Sequence, residues 1–126
     1  ADHKPALDAV RQAAADEYIA RLAATPYAPP TEFAPSPDVL AFLEGLGVVV
    51  NVGSGVVFSA AAFDEMVTRI THSIAANGEI TLAQVRDMFR TTRKYAQPLL
   101  EHLDTMKITR RVGDSRVLGT RPPEGR

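Results

Sequence analysis

Apolar positions recur along the chain with two periods, and the changes of period divide it into elements. Leu7, Val10, Ala14, Tyr18 and Leu22 share one face of an amphipathic helix, which their spacing predicts from about Pro5 to Ala24 with Pro5 in the first turn. Thr25-Pro26-Tyr27-Ala28-Pro29-Pro30 ends that helix and is expected to be extended, because the residue before a proline is biased away from the helical region. A short turn is expected within Thr31–Ala34. Ser36-Pro37-Asp38 is a helix start, with Ser as N-cap, Pro at the first position and Asp in the first turn. That helix carries Val39, Leu40, Phe42, Leu43 and Leu46 and stops at Gly47. Val48-Val49-Val50-Asn51-Val52, Gly53-Ser54-Gly55 and Val56-Val57-Phe58 then read as a hairpin. Ser59 caps a helix from about Ala60 to Asn77, with Phe63, Met66, Val67, Ile70 and Ile74 inside and a stop at Asn77-Gly78.

The pattern then repeats in outline. Glu79-Ile80 is expected to be a very short strand that pairs with a second hairpin. Thr81-Leu82-Ala83-Gln84 is a capping box, and Leu82, Val85 and Phe89 follow at helical spacing. Thr91-Thr92 interrupts the run, since hydroxyls beside the backbone favour caps and turns. A second helix places Ala96, Leu99, Leu100, Leu103 and Met106 on its buried side, with Thr92 as N-cap and Arg93, Lys94 and Tyr95 in its first turn. Pro98 allows a start at Arg93 with a bend, the preferred reading, or a start near Gln97. In the hairpin, Ile108 and Val112 are expected to face the core and Thr109 and Arg111 the outside. Arg110 would lean to an edge, Gly113-Asp114-Ser115 would turn, and Arg116 would sit beside the tip. Gly119 to Arg126 is expected to be a loose tail.

This order defines the fold expectation. It is mainly α with small β-hairpins (α+β), in two tandem winged-helix domains, the first with a degenerate helix-turn-helix. Residues 1–59 would form the first, acidic domain, residues 60–120 the second, and 121–126 a tail. The halves agree in order, not in residue identity, and the first hairpin holds no Lys or Arg.

Composition and charge sharpen this. A chain of 126 residues, 45% hydrophobic, can build one compact unit or two small ones. It has no Cys, so neither a disulfide framework nor a thiolate metal site is available. No apolar run has the length of a membrane span and no signal peptide is visible, so a cytoplasmic monomer without membrane contact is expected. The chain opens on Ala in mid-helix style, as a fragment of a longer chain would. The net charge of −1 conceals an asymmetry: −4 over residues 1–60, +3 over 61–126, and +5 within 86–121. Arg93 and Lys94 also stand at a helix N-terminus, which is already partly positive. That placement is poor for stability and suits an anionic partner such as phosphate. His3, His72 and His102 lack metal-ligand spacing. Asp87, Glu101 and Asp104 have no nucleophile beside them, so no catalytic role is expected.

Thr91-Thr92-Arg93-Lys94-Tyr95-Ala96-Gln97-Pro98-Leu99-Leu100-Glu101, then Leu103-Asp104 and Thr109-Arg110-Arg111-Val112-Gly113-Asp114, resemble the C-terminal winged-helix region of the bacterial selenocysteine-specific translation elongation factor. The stretch Ile80 to Asp87 is similar to the approach to that region's first helix. The likeness covers about Glu79 to Leu118; residues 1–60 fit the preceding winged helix in layout only. Two positions depart from it: Arg90 where the family often has Gly, and Gln97 where it often has an apolar residue.

The resemblance implies an RNA-binding fragment that grips the selenocysteine insertion hairpin of selenoprotein mRNA. Recruitment of selenocysteinyl-tRNA delivery at the ribosome would follow through the full-length factor. No G-x-x-x-x-G-K-[ST] is present, so the GTPase part, with its GTP and magnesium, would lie outside this chain, and no cofactor is expected here. A-form RNA hides its base edges, so sequence-specific readers favour loops and bulges. Arg90, Arg93 and Lys94 are accordingly assigned to phosphates, Arg93 also to a bidentate contact. Thr92 is assigned to the cap and to phosphate, and Tyr95 to stacking on a base or packing on the hairpin. Arg111 and Arg116 would extend the grip along the stem. Arg110 is assigned either to RNA or to a pair with Asp104 or Asp114, and Arg86 to solvent or an acid. Two alternatives share the layout: a duplex-DNA-binding regulator and a protein-interaction module.

Overall fold

The computed structural model describes residues 8–32 and 34–119. Among the described residues, five helices and five short strands follow one another: α1 Ala9–Ala24, α2 Pro37–Leu46, β1 Val49–Gly53, β2 Val56–Ser59, α3 Ala60–Asn77, β3 Ile80–Thr81, α4 Leu82–Met88, α5 Arg93–Thr105, β4 Thr109–Val112 and β5 Ser115–Leu118. The fold is mixed, with helices and small antiparallel hairpins. The strands form a two-stranded sheet β1-β2 and a three-stranded sheet β3-β5-β4.

Side-chain caps set several boundaries. Asp8 accepts from the backbone N–H of Arg11 at 2.8 Å and starts α1 at Ala9. The expected start near Pro5, and Leu7 on its face, lie outside the described residues. The apolar face also differs from expectation. Ala15, Tyr18 and Leu22 are buried, whereas Val10 is 80% exposed and Ala14 is exposed. The buried stripe is shorter because the apolar contacts of α1 with α2 and the first hairpin begin at Ala15, while its first turn meets α2 through the Arg11–Asp38 ion pair at 3.1 Å. On α2, Pro37 and Asp38 occupy the first turn as expected, but the Ser36 hydroxyl donates to Asp38 Oδ1 at 2.6 Å and makes no capping bond to the backbone. That bond, then the nearby Arg11 guanidinium, holds the Asp38 carboxyl below its usual range. Leu46 is exposed on the last turn before Gly47, whose φ of 77° ends the helix as expected. Helix α3 runs as expected, capped by Ser59 Oγ on Ala62 N at 3.1 Å and closed by Gly78 at φ 92°.

The first hairpin explains its own sequence. Val49 and Val57 pack with Tyr18, Leu22, Val39 and Leu43 of α1 and α2. Val52, Val56 and Phe58 pack with α3, α4 and α5 in the larger core. Both faces are buried, so the strands read as a nearly continuous valine run rather than an alternation. A Lys or Arg at Val49, Val52, Val56, Val57 or Phe58 would lose its hydration. The hairpin is a partition wall between the two halves. A fragment beginning at Ser59 would keep α3 to β5 and lose the three hydrophobic side chains that close their core.

In the second half, the Thr81–Gln84 capping box is complete: Gln84 N donates to Thr81 Oγ1 at 3.1 Å and Thr81 N donates to Gln84 Oε1 at 2.9 Å. Helix α5 starts at Arg93 and runs through Pro98, which is buried. Ala96, Leu99, Leu100 and Leu103 are buried and Met106 is half-buried, as the spacing requires. The second hairpin departs from expectation. Its turn contains two residues, Gly113 and Asp114, so Val112 pairs Ser115 and Arg111 pairs Arg116. Arg116 in turn pairs Ile80 of β3, a fully buried position. Thr109, bonded to Asp104 of α5, is buried at 2% exposure and Val112 is 48% exposed, the reverse of the expected faces; Ile108 is buried as expected. The expected three-residue turn assigns the returning strand to the wrong face, since a one-residue slip inverts every side chain.

Candidate nucleic-acid interface

The α4–α5 turn begins the site. Arg90 has a φ of 53°, a left-handed conformation that an L side chain rarely adopts. It reaches the turn geometry that glycine would reach without strain, so the departure from Gly at this position leaves the backbone path intact. Thr91 N donates to Arg86 O at 2.9 Å, and the Thr92 carbonyl accepts from Tyr95 N and Ala96 N at 3.1 and 3.0 Å. Thr92 occupies the N-cap position, but its hydroxyl makes no capping bond, contrary to the expected cap. It is exposed, as are Arg90, Arg93 and Lys94.

Arg93 Nε donates to Gln97 Oε1 at 2.8 Å, and Gln97 Nε2 donates to Glu101 Oε2 at 3.0 Å. This chain lies along the outer face of α5 and fixes the plane of the guanidinium. Gln97, polar where the family often has an apolar residue, is its middle member. Lys94 Nζ donates to Thr31 Oγ1 at 3.2 Å and lies 5.4 Å from the centre of the Tyr95 ring. Tyr95 itself is half-buried and packs on the main core rather than on the second hairpin.

Between α4, α5 and the tip of the second hairpin lies a groove of about 390 Å³. Arg86, Arg93, Arg111 and Arg116 line it together with the acidic Glu101 and Asp114. Arg86, assigned above to solvent or an acid, does pair with Asp87 at 3.5 Å, but it also faces this groove. Its four-residue spacing from Arg90 gave no sign of that; Thr81, Leu82 and Ala83 line the same groove. Arg111 is exposed and donates from Nε to Gly113 O at 3.0 Å, which ties it to the hairpin turn.

Arg116 is not an outward finger. It is 6% exposed, and its Nε and Nη2 donate to Asp104 Oδ2 at 3.2 and 2.9 Å. Thr109 Oγ1 donates to Asp104 Oδ1 at 2.6 Å. This ion pair pins β4 and β5 onto α5, and its charge is balanced in place. Asp104 is thus paired with Arg116, not with Arg110, which is exposed.

The first half reaches the site as well. A cleft of about 370 Å³ is shared by Ser54, at the tip of the first hairpin, with Arg93, Lys94, Pro98 and Glu101 of α5. Thr91 Oγ1 donates to the Tyr27 carbonyl at 2.8 Å, and the Tyr27 and Phe89 rings are 5.1 Å apart. The Arg69 guanidinium lies 4.7 Å from the centre of the Phe89 ring. A hydrogen bond to Glu65, with some burial, raises the Tyr27 phenol above its usual pKa. No group of three or more His, Asp or Glu that could hold a metal occurs among the described residues.

A capped helix, a tight turn, a second helix presenting cations at its start and an antiparallel hairpin closed by a short strand define a winged helix. Residues 72–118, which span these elements, match the family described as elongation factor SelB, winged helix. The chain is 37% identical over 75 residues to the selenocysteine-specific elongation factor of Desulfomicrobium baculatum, a match that covers 60% of this chain and 12% of that protein. The mRNA-binding domain of elongation factor SelB from E. coli, solved in complex with SECIS RNA, superposes with a TM-score of 0.67 at 20% identity, covering 90% of this chain and 99% of that one. A bacterial selenocysteine-specific elongation factor, EF-Sec, superposes equally well, with a TM-score of 0.67 at 17% identity over 89% of this chain and 19% of its own.

Proposed function

We propose that this chain is the RNA-reading end of a selenocysteine-specific elongation factor and grips the selenocysteine insertion hairpin of a selenoprotein mRNA. One observation carries the reading. Within the segment that matches the SelB winged helix, Arg86, Arg93 and Arg111 converge on one groove at the exposed start of α5. Cations gathered at a helix N-terminus lose the favour of the macrodipole and regain it on a polyanion. Arg93, with its plane fixed by Gln97, is the group that reads acceptors in pairs, and Lys94, Arg90 and Arg111 neutralise phosphates. Thr92, whose hydroxyl is not spent on a cap, adds a phosphate contact, and Tyr95 supports Lys94 from below.

On this reading the chain is two tandem winged helices, residues 1–59 and 60–120, the first with its helix-turn-helix reduced and its hairpin buried. The fragment has no catalytic step of its own. Hydrolysis of GTP with magnesium, delivery of selenocysteinyl-tRNA and engagement of the ribosome, all in the cytoplasm, belong to the full-length factor, which the chain joins as a monomeric arm.

Titration of the chain against an insertion hairpin, a loop-mutated hairpin and duplex DNA of equal charge, at several salt concentrations, tests this. The insertion hairpin should bind tightest. Arg93→Lys should cost about 1–3 kcal/mol on the insertion hairpin and much less on the loop mutant, by analogy with bidentate base contacts. Lys94→Ala should weaken both RNAs alike and lower the salt slope by somewhat under about one unit. Equal affinity for duplex DNA, or binding insensitive to salt, would overturn the reading in favour of a DNA regulator or a protein-interaction module respectively.

A further inference from the structure

The segment between α1 and α2 has no basic residue from Thr25 to Pro35, yet it touches the start of α5 at two places. The Tyr27 carbonyl accepts from Thr91 Oγ1 at 2.8 Å, in a part-buried bond between residues 64 apart in sequence. The Thr31 hydroxyl accepts from Lys94 Nζ at 3.2 Å. The Tyr27 ring meets Phe89, the last apolar residue before the left-handed Arg90. The α4–α5 turn is thus held from outside the second half, on both sides of its strained residue.

We infer that Tyr27 and Thr31, acting through Thr91 and Lys94, are positioning residues of the first half that set where the start of α5 presents its cations. This rests on the RNA-reading function proposed above. A turn with a non-glycine left-handed residue has nearby backbone states that relieve it. A bond to a fixed carbonyl on one side and a ring on the other select among them. Selecting the turn conformation changes no charge, so the brace governs which RNA is preferred and not how strongly phosphate is attracted. The segment is not extended as expected: residues 25–28 form a turn in which Ala28 N donates to the Thr25 carbonyl at 3.2 Å, and the prolines at 26, 29 and 30 reduce the chain entropy lost in holding it.

The test uses the whole chain and three versions of residue 91. Thr91→Val keeps the shape and removes the donor, and Thr91→Ser restores it. In Thr91→Val the ratio of affinities for an insertion hairpin and its loop mutant should fall by about 2–10-fold, the range of one such hydrogen bond, with the salt slope unchanged. Thr91→Ser should recover the ratio. A second readout needs no RNA: amide exchange at Thr92 to Ala96 should quicken in Thr91→Val and return in Thr91→Ser, while exchange in α1 and α3 stays put. Unchanged exchange at the start of α5, or an equal loss on both RNAs without rescue by Ser, overturns the brace. If exchange responds as stated but the unaltered chain fails to prefer the insertion hairpin, the brace stands and the proposed RNA function falls.

Discussion

Asp104→Asn isolates the pin between α5 and the second hairpin. The Arg116 side chain is 7% exposed and that of Asp104 is 26% exposed, and their closest approach is 2.9 Å. Asn keeps the size and still offers one oxygen to Thr109 and Arg116, but it removes the charge that balances a buried guanidinium. Breaking a fully buried pair costs about 3–5 kcal/mol. Partial exposure of Asp104 and the oxygen that Asn retains reduce this to about 2–3 kcal/mol, the range of a hydrogen bond to a charged group. For a chain of this size that lowers Tm by about 8–12 °C, read by calorimetry or circular dichroism. A second variant separates structure from recognition. Asp104→Leu with Arg116→Met removes both charges, so it should recover much of the lost stability, because an apolar pair of similar volume replaces a buried ion pair at little cost. Its salt slope on RNA should equal that of the unaltered chain, while Arg111→Ala should lower the slope by somewhat under about one unit. The reasoning is refuted if Asp104→Asn leaves Tm unchanged, or if the double variant reduces the slope as much as Arg111→Ala does.

Arg90→Gly should act in opposite directions on two measurements. Relief of the φ of 53° should stabilise the fold by about 0.5–1 kcal/mol after the entropy of glycine is subtracted, while loss of the charge should weaken hairpin RNA and its salt slope; denaturant titration and RNA titration check the two in turn. His102 packs edge-on against Phe63 at 5.7 Å, and burial lowers its pKa from 6.5. The unfolded chain then takes up this proton first, so stability is full above about pH 6.5 and declines as the pH falls toward the folded-state value; His102→Gln should flatten that part of the stability–pH curve.

Most element boundaries were legible in the sequence because single residues carry them. Ser59, the Thr81–Gln84 box, Gly47 and Gly78 each act on their own turn of backbone, and each stands where its side chain or its freedom of φ requires. The face of the second hairpin was not legible, since it depends on whether the turn holds two residues or three, and Gly113-Asp114-Ser115 supports both counts. That single residue decides whether Arg116 points to solvent or to Asp104. The double burial of the first hairpin is written in its valines but also fits an ordinary strand of high propensity. The contact from Tyr27 to Thr91 leaves no local trace, because a backbone carbonyl accepts it and any residue supplies one. Of the candidate site, the basic start of α5 was visible through its conflict with the helix dipole. Arg86 was hidden because its role depends on how α4 stands against the hairpin.

The partition hairpin also fixes an order of events on the ribosome that makes the chain. Phe58 leaves the tunnel with one face of its hairpin able to settle against α1 and α2. The other face must wait for α5 and for the strands that end at Leu118. At typical synthesis rates those sixty residues take about 3–12 s to appear. Through that interval Val52, Val56 and Phe58 form an apolar strip without its lid, on a nascent chain whose acidic first half is already out. The net negative charge of that first half is well placed to keep neighbouring chains apart while the strip is bare.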